Sequence, residues 1–155
     1  AFYQYFKNVP VLIEELLRDL EVEMHEAATA WFLSEGPAND KIRESLGAII
    51  AVCRSHGPVF RAISESAPHD AKLEASWARF MGSWDDAVEA RIRKGQAEGF
   101  YQDCDAAMVA RALNRMDASI LIDGFGRRQQ RDPEVVLDAL HTIWSRTLML
   151  PAYFD

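Results

Sequence analysis

The sequence predicts an all-α domain, and three observations support this fold class. Apolar residues recur every three or four positions along almost the whole chain, which is the period of an amphipathic helix. Short breaks containing Gly or Pro separate these apolar stripes, and no alternating strand pattern of useful length occurs. With 155 residues, 49% of them hydrophobic and 26% charged, the chain suits one globular domain. We expect a bundle of six helices that bury their stripes against one another.

The first two predicted helices occupy the first third of the chain. One is expected over about residues 8–32, with Asn8 as its N-cap, because an asparagine side chain accepts a hydrogen bond from the first turn. The sequence Ser-Glu-Gly-Pro at residues 34–37 ends it. A second helix is predicted over about residues 40–56.

Two further helices are predicted in the middle of the chain. Gly57 and Pro58 are expected to end the second helix, because proline lacks the N–H that a helix interior requires. A short third helix then covers about residues 59–65. A long fourth helix is predicted over about residues 70–97, with Gly99 marking its end.

The last two predicted helices are unusually apolar. They cover about residues 106–123, with Asp105 as N-cap, and about residues 133–150, with Asp132 as N-cap. Each carries apolar residues on more than one stripe, which indicates burial on more than one side. In a chain of this size, the second buried side is most simply a partner subunit, so we predict a homodimer through these two helices.

Composition narrows the classes of function. There are 17 Lys and Arg against 24 Asp and Glu, a net charge of −7, which disfavours nucleic-acid binding by this stretch alone. No apolar run approaches the ~20 residues that span a bilayer, so no membrane association is expected. Cys53 and Cys104 are too few for a disulfide framework, and a reducing cytoplasm fits best.

Catalytic signatures are missing from the sequence. It contains no GxSxG, P-loop, GxGxxG or HExxH pattern, so we expect no enzyme activity, no metal site and no cofactor. The pair Glu21 and His25, four residues apart, is expected to lie on a solvated helix face.

The N-terminal string FYQYFKN at residues 2–8, followed by a helix carrying Leu12, resembles the TetR family of transcriptional regulators. The resemblance implies that residues 1–7 end a helix-turn-helix DNA-binding domain. Residues 8–155 would then form the TetR-type C-terminal regulatory bundle, which binds a ligand and dimerises. Since the chain begins as if within a helix, we expect the rest of the DNA-binding domain ahead of it.

Three residues of this string are implied to contact the DNA backbone: Tyr3, Tyr5 and Lys7. Such contacts position a protein on DNA without reading its sequence. Operator DNA is therefore an expected partner of the complete regulator. One departure is Val9, where the family usually has a phosphate-contacting Lys.

A mycobacterial repressor of this family shares further strings with the chain, including W-x-x-F-M-x-x-W at residues 77–84 and A-L-N-x-M at residues 112–116. In that relative the corresponding helices line a mostly apolar tunnel. The resemblance implies a small apolar effector here, bound by twelve residues: Ile42, Ile49, Cys53, Trp77, Phe80, Met81, Trp84, Val88, Asn114, Asp117, Leu121 and Trp144.

Alternatives remain open at several of these positions. The aromatic stripe of residues 77–84 is, by spacing alone, about three times as often plain core as pocket, and Cys53 is typical of a small core residue. Asn114 fits a pocket or a structural hydrogen bond equally, whereas a salt bridge is favoured for Asp117. The rival functions are a helical enzyme, which would need a catalytic constellation, and a dimerisation module with a filled core.

Overall fold

The computed structural model describes the backbone of residues 2–154 and the side chains of residues 11–154. Five α-helices form the described fold: α1 Phe2–Phe32, α2 Asn39–Ser66, α3 Ala71–Ala97, α4 Ala106–Phe125 and α5 Pro133–Leu148. Two short 3-10 turns, Ala67–His69 and Pro151–Tyr153, follow α2 and α5. The predicted all-α class is confirmed, with five helices in place of six.

The wrong helix count comes from Gly57 and Pro58, which lie inside α2 and do not break it. Pro58 leaves the carbonyl of Arg54 without its helical donor. The side-chain amide of Gln130 donates to that carbonyl at 3.0 Å. A Cβ on residue 57 would collide with the backbone carbonyl of Phe125, so only glycine lets the end of α4 approach this closely. The Gly57-Pro58 pair therefore forms a contact with the end of α4 and does not end α2.

The predicted start of α1 was also wrong. The helix runs from Phe2, so Asn8 lies within it and is not an N-cap. The other predicted ends agree with the structure to within about two residues. Asp70, Asp105 and Asp132 each accept a hydrogen bond from a first-turn N–H of α3, α4 and α5 respectively.

The helices surround one apolar core. Helix α1 packs along α2 and α3, α4 packs against α2 and α3, and α5 lies mainly against α2. An antiparallel bridge between Tyr101 and Met149 joins the α3–α4 connection to the end of α5. Within residues 2–154, no helix is long and apolar enough to cross a membrane.

Candidate ligand-binding cavity

A cavity of about 80 Å³ lies between the helices, with wall residues from all five of them. A single buried water needs roughly 10–15 Å³ on the same kind of measure, so there is room for several. The wall is almost wholly apolar, which is the usual character of a site for a small organic molecule.

All twelve residues that the resemblance implies as ligand-binding lie in the wall of this one cavity. The structure thus brings them together from α2, α3, α4 and α5, although their role in binding stays a prediction. The aromatic stripe of residues 77–84 borders open space and does not fill a solid core.

Sequence reasoning missed nine further wall residues. They are mostly apolar, and four belong to α1: Met24, Ala28, Trp31, Phe32, Ser45, Leu46, Phe60, Ala118 and Ile122. The apolar stripe of α1, which includes Met24 and Trp31, was the available signal. Its spacing identified an inward face without indicating that this face borders a cavity.

The aromatic wall is built from ring pairs. Trp77 and Phe80 stack with 5.4 Å between ring centroids, and Trp84 stacks on His25 at 4.2 Å. His25 also hydrogen-bonds the hydroxyl of Ser83 at 3.1 Å, and burial lowers the pKa of its imidazole. The expected solvated face is therefore only partly correct for His25, because its side chain is 31% exposed beside Glu21 while its ring supports the back of a cavity wall.

Asn114 lies in the wall and its side chain is oriented by charge. Its Nδ2 donates to Asp85 Oδ1 at 3.0 Å. Arg115 holds the same carboxylate with two hydrogen bonds, of 3.0 and 2.9 Å. Since a carboxylate accepts, the amide nitrogen of Asn114 must face Asp85. Among the described residues no donor reaches Asn114 Oδ1, which remains available as an acceptor.

Asp117 forms no salt bridge with any described residue, so the interpretation favoured from sequence was wrong. The neighbouring cations Arg111 and Arg115 pair with Asp85. The indole N–H of Trp144 donates to both oxygens of Asp117, at 3.0 and 3.1 Å.

The carboxyl of Asp117 is held in an unfavourable place for a charge. Asp117 keeps part of its surface accessible, although protein surrounds most of its carboxyl. Burial raises the pKa of this carboxyl from the ordinary 3.8 to about 7, and the Trp144 N–H acts in the opposite direction. Burial, with Asp117 adding to it, raises the pKa of the Cys53 thiol to about 12, so Cys53 stays neutral and inert.

A polar cluster of Trp31, Ser34, Gly36, Arg91 and Tyr101, here called the Arg91 cluster, adjoins the cavity through Trp31. The guanidinium of Arg91 donates to the carbonyls of Trp31 and Gly36 and to the hydroxyl of Ser34, over 3.1–3.4 Å. It also lies over the rings of Trp31 and Tyr101, at 5.6 and 5.1 Å. The indole N–H of Trp31 donates to Tyr101 Oη at 2.8 Å. Sequence reasoning missed this cluster, because a lone Arg in a helix gives no signal of burial.

The implied DNA-backbone contacts Tyr3, Tyr5 and Lys7 lie outside the residues whose side chains the structure describes. Within the described side chains, no group of His, Cys, Asp and Glu could hold a metal ion.

The comparisons with known proteins agree with this architecture. A family model described as the C-terminal domain of transcriptional regulator EthR matches residues 42–149, well over half of the chain. The solved structure of PfmR, a TetR family transcriptional regulator from Thermus thermophilus, has a similar fold with a TM-score of 0.69. That match has 19% sequence identity and covers 97% of this chain and 82% of PfmR. No curated protein sequence matches the chain.

The family match decides the identity of the domain, since the structural likeness at this identity shows the fold alone. It covers α3, α4 and α5 completely and most of α2, and these four helices together supply most of the cavity wall. The family is one of regulators and not of enzymes, as the sequence predicts. The chain belongs to the TetR family of transcriptional regulators, as a ligand-binding domain of the EthR C-terminal type.

Proposed function

We propose that this domain is the sensor of a ligand-responsive repressor, and that an elongated, largely apolar small molecule binds in the cavity to control operator binding. The operator would be bound by the helix-turn-helix domain expected ahead of residue 8. The observation that carries this proposal is the cavity itself, an apolar space between helices with its few polar groups concentrated at Asn114 and Asp117.

The size of the cavity indicates how a ligand would act. About 80 Å³ is far below the ~300–1,000 Å³ of pockets that enclose drug-sized molecules. An elongated ligand must therefore displace wall side chains, and the flexible Met24 and Met81 are suited to move. Because α1 forms part of the wall, that displacement would act on the helix that leads to the DNA-binding domain. The ligand shifts the balance between two states only by its difference in affinity for them.

The polar end of the cavity restricts the orientation of the ligand. Asn114 uses its amide N–H on Asp85, which leaves only its oxygen for a ligand. A hydroxyl or N–H on the ligand can donate to that oxygen, whereas a bare carbonyl cannot. We infer that the ligand carries its hydrogen-bonding group opposite Asn114 and its apolar part along the aromatic wall.

Binding is tested directly with 1-octanol, by calorimetry on the purified domain. The matched variants are Leu121→Phe, which adds volume at the cavity wall, and Leu33→Phe, which adds the same atoms at a side chain 76% exposed. We expect Leu121→Phe to weaken binding at least fivefold and Leu33→Phe to leave it unchanged. Equal affinity in all three proteins would place octanol elsewhere and contradict the proposal.

We further propose a homodimer through α4 and α5. Met108, Val135 and Ile143 are 63%, 65% and 40% exposed on these helices, although all three are large and apolar. Burying them against a second copy would remove this surface from water. Sedimentation should show a dimer at micromolar concentration that Ile143→Glu converts to monomer. Leu33→Glu, at an exposed apolar site outside α4 and α5, should stay dimeric.

A further inference from the structure

Two side chains of the cavity wall, Asn114 and Asp117, have acceptors that the described donors leave open, whereas the unpaired donor of the described wall, the indole N–H of Trp84, is itself buried. Ser45 is already satisfied, because its hydroxyl donates to the Ala28 carbonyl and accepts from the Trp31 N–H, at 3.2 and 3.0 Å. Asn114 offers only its oxygen, and the carboxyl of Asp117 accepts from a single indole. A ligand group that meets Asn114 and Asp117 must therefore bring donors.

No positive charge of the described residues balances Asp117. The cavity wall contains no Lys, Arg or His. On its own helix, Arg111 and Arg115 are turned to Asp85 of α3, with the shorter ion pair at 2.9 Å. An ionised Asp117 is thus a buried anion without a cation, which is costly unless a partner arrives.

The other elements around the site add no charge either. From α2 the titratable residue in the wall is Cys53, which stays neutral, and from α5 the contact is the uncharged indole of Trp144. From α1, His25 stacks on Trp84 and hydrogen-bonds Ser83 without lining the cavity. None of the described residues therefore supplies a countercharge to an ionised Asp117.

We propose that the cavity selects a lipophilic primary amine, whose ammonium group lies between Asp117 and Asn114 and whose hydrocarbon chain lies along the aromatic wall. The proposal rests on the proposed effector-binding function of the cavity. An ammonium carries three N–H donors and one positive charge, which matches the two open acceptors and the single uncompensated carboxylate.

Binding of the amine should depend on pH in a defined way. An alkylamine stays protonated up to about pH 10. The pKa of the Asp117 carboxyl is about 7 in the empty cavity, so this group is mostly ionised at pH 8 and mostly protonated at pH 5.5. An ammonium can form the ion pair only with the ionised carboxylate, so affinity should fall as the solution becomes acidic.

The test compares octylamine with 1-octanol by calorimetry at pH 8 and pH 5.5. These probes have the same chain and differ in charge. The variants are Asp117→Asn and, as a control, Asp123→Asn, which makes the same change at an exposed carboxylate on the same helix. We expect the wild-type domain to bind octylamine at least tenfold more tightly than octanol at pH 8, and to lose most of that preference at pH 5.5.

In Asp117→Asn the preference for the amine should disappear, with octanol affinity within about threefold of wild type, whereas Asp123→Asn should keep it. Octanol binding as tightly as octylamine to the wild-type domain at pH 8 would overturn the amine proposal and leave the effector cavity in place. Failure of both probes to bind would instead contradict the proposed function. The wild-type pH comparison decides the matter even if Asp117→Asn does not fold.

Discussion

Two charged groups of the same bundle, the buried Arg91 and the partly buried Asp117, have opposite surroundings. Arg91 is 3% exposed, and its guanidinium has three acceptors and two aromatic faces around it. Asp117 has one indole N–H and an open cavity. Protein groups solvate the first charge almost completely, while the second lacks the partners that its ionised form requires.

The difference distinguishes a charge whose partners are all within the protein from the charge that we propose binds a ligand. Burial of a charge is tolerated where hydrogen bonds replace water, as they do around Arg91, although its Nη1 has no partner. Where they do not, the charge is destabilising, and empty space beside it allows a ligand to supply the missing partner. On the proposed function, stability and ligand recognition depend on different ends of the same core.

The largest expected effect is the loss of Arg91. Arg91→Ala removes three hydrogen bonds from a charged donor, each worth about 1.5–3 kcal/mol, and two cation–π contacts. Because the freed acceptors partly regain other partners, we expect the free energy of unfolding to fall by about 4 kcal/mol at every pH. Urea unfolding followed by tryptophan fluorescence measures it.

The matched control is Arg93→Ala, two residues along the same helix. Arg93 is exposed and pairs only with Glu89, four residues earlier. Such a pair contributes little, so a change within about 0.5 kcal/mol is expected. If the two variants lose the same stability, then the Arg91 cluster does not stabilise the fold as described.

The fold was predictable where local chemistry decides it. Asp105 and Asp132 cap helices through hydrogen bonds within one turn, and the sequence alone identifies such positions. Gly57 and Pro58 led to the prediction of a helix end that does not exist. Their effect depends on Gln130 and the end of α4, which are distant in sequence. A proline that loses one helical hydrogen bond breaks the helix only if nothing else satisfies the freed carbonyl.

The residues that line the cavity could be predicted, but the hydrogen-bond partners of their side chains could not. The resemblance identified wall residues because it carries the arrangement of the helices with it. Spacing placed Asn114 and Asp117 on one face of α4. It could not show that Arg115 would turn to Asp85, or that Trp144 would be the donor to Asp117. Those pairings depend on the register between helices, which no local pattern encodes.

The second-largest expected effect is a pH dependence of the free energy of unfolding that Asp117 causes. The pKa of this carboxyl rises from 3.8 to about 7 on folding, so the folded state binds more protons than the unfolded state between these values. The stabilisation is fully present below pH 3.8 and is lost as the pH rises through 7. Between pH 5 and pH 8 the free energy of unfolding should fall by about 2–3 kcal/mol, at about 1.36 kcal/mol per pKa unit.

Asp117→Asn should remove this downward slope, because an amide does not titrate. His25, whose pKa is lowered by burial, contributes a slope of opposite sign that should be the same in every variant. Asp123→Asn, with its carboxyl exposed, should keep the slope of the wild-type domain. Urea unfolding at four pH values between 5 and 8 measures all three proteins. A slope that persists in Asp117→Asn would assign it to another group and remove the contrast with Arg91.

The smallest expected change in the free energy of unfolding comes from a comparison of two buried indoles, Trp31 and Trp84. Trp31 donates to Tyr101 Oη at 2.8 Å, whereas the N–H of Trp84, in the cavity wall, is buried without a partner. Tyr101→Phe keeps the ring that faces Arg91 but leaves the Trp31 N–H unpaired, as Trp84 already is. An unpaired buried donor costs about 1–3 kcal/mol. We expect the free energy of unfolding to fall by about 1 kcal/mol, at the low end of this range, because the substitution also removes a polar hydroxyl from a buried site. Urea unfolding of Tyr101→Phe against Tyr153→Phe, whose hydroxyl forms no hydrogen bond with the described residues, measures the difference. A loss near zero would mean that an unpaired indole is as well tolerated beside Arg91 as beside the cavity, and the two ends of the core would then differ in charge alone.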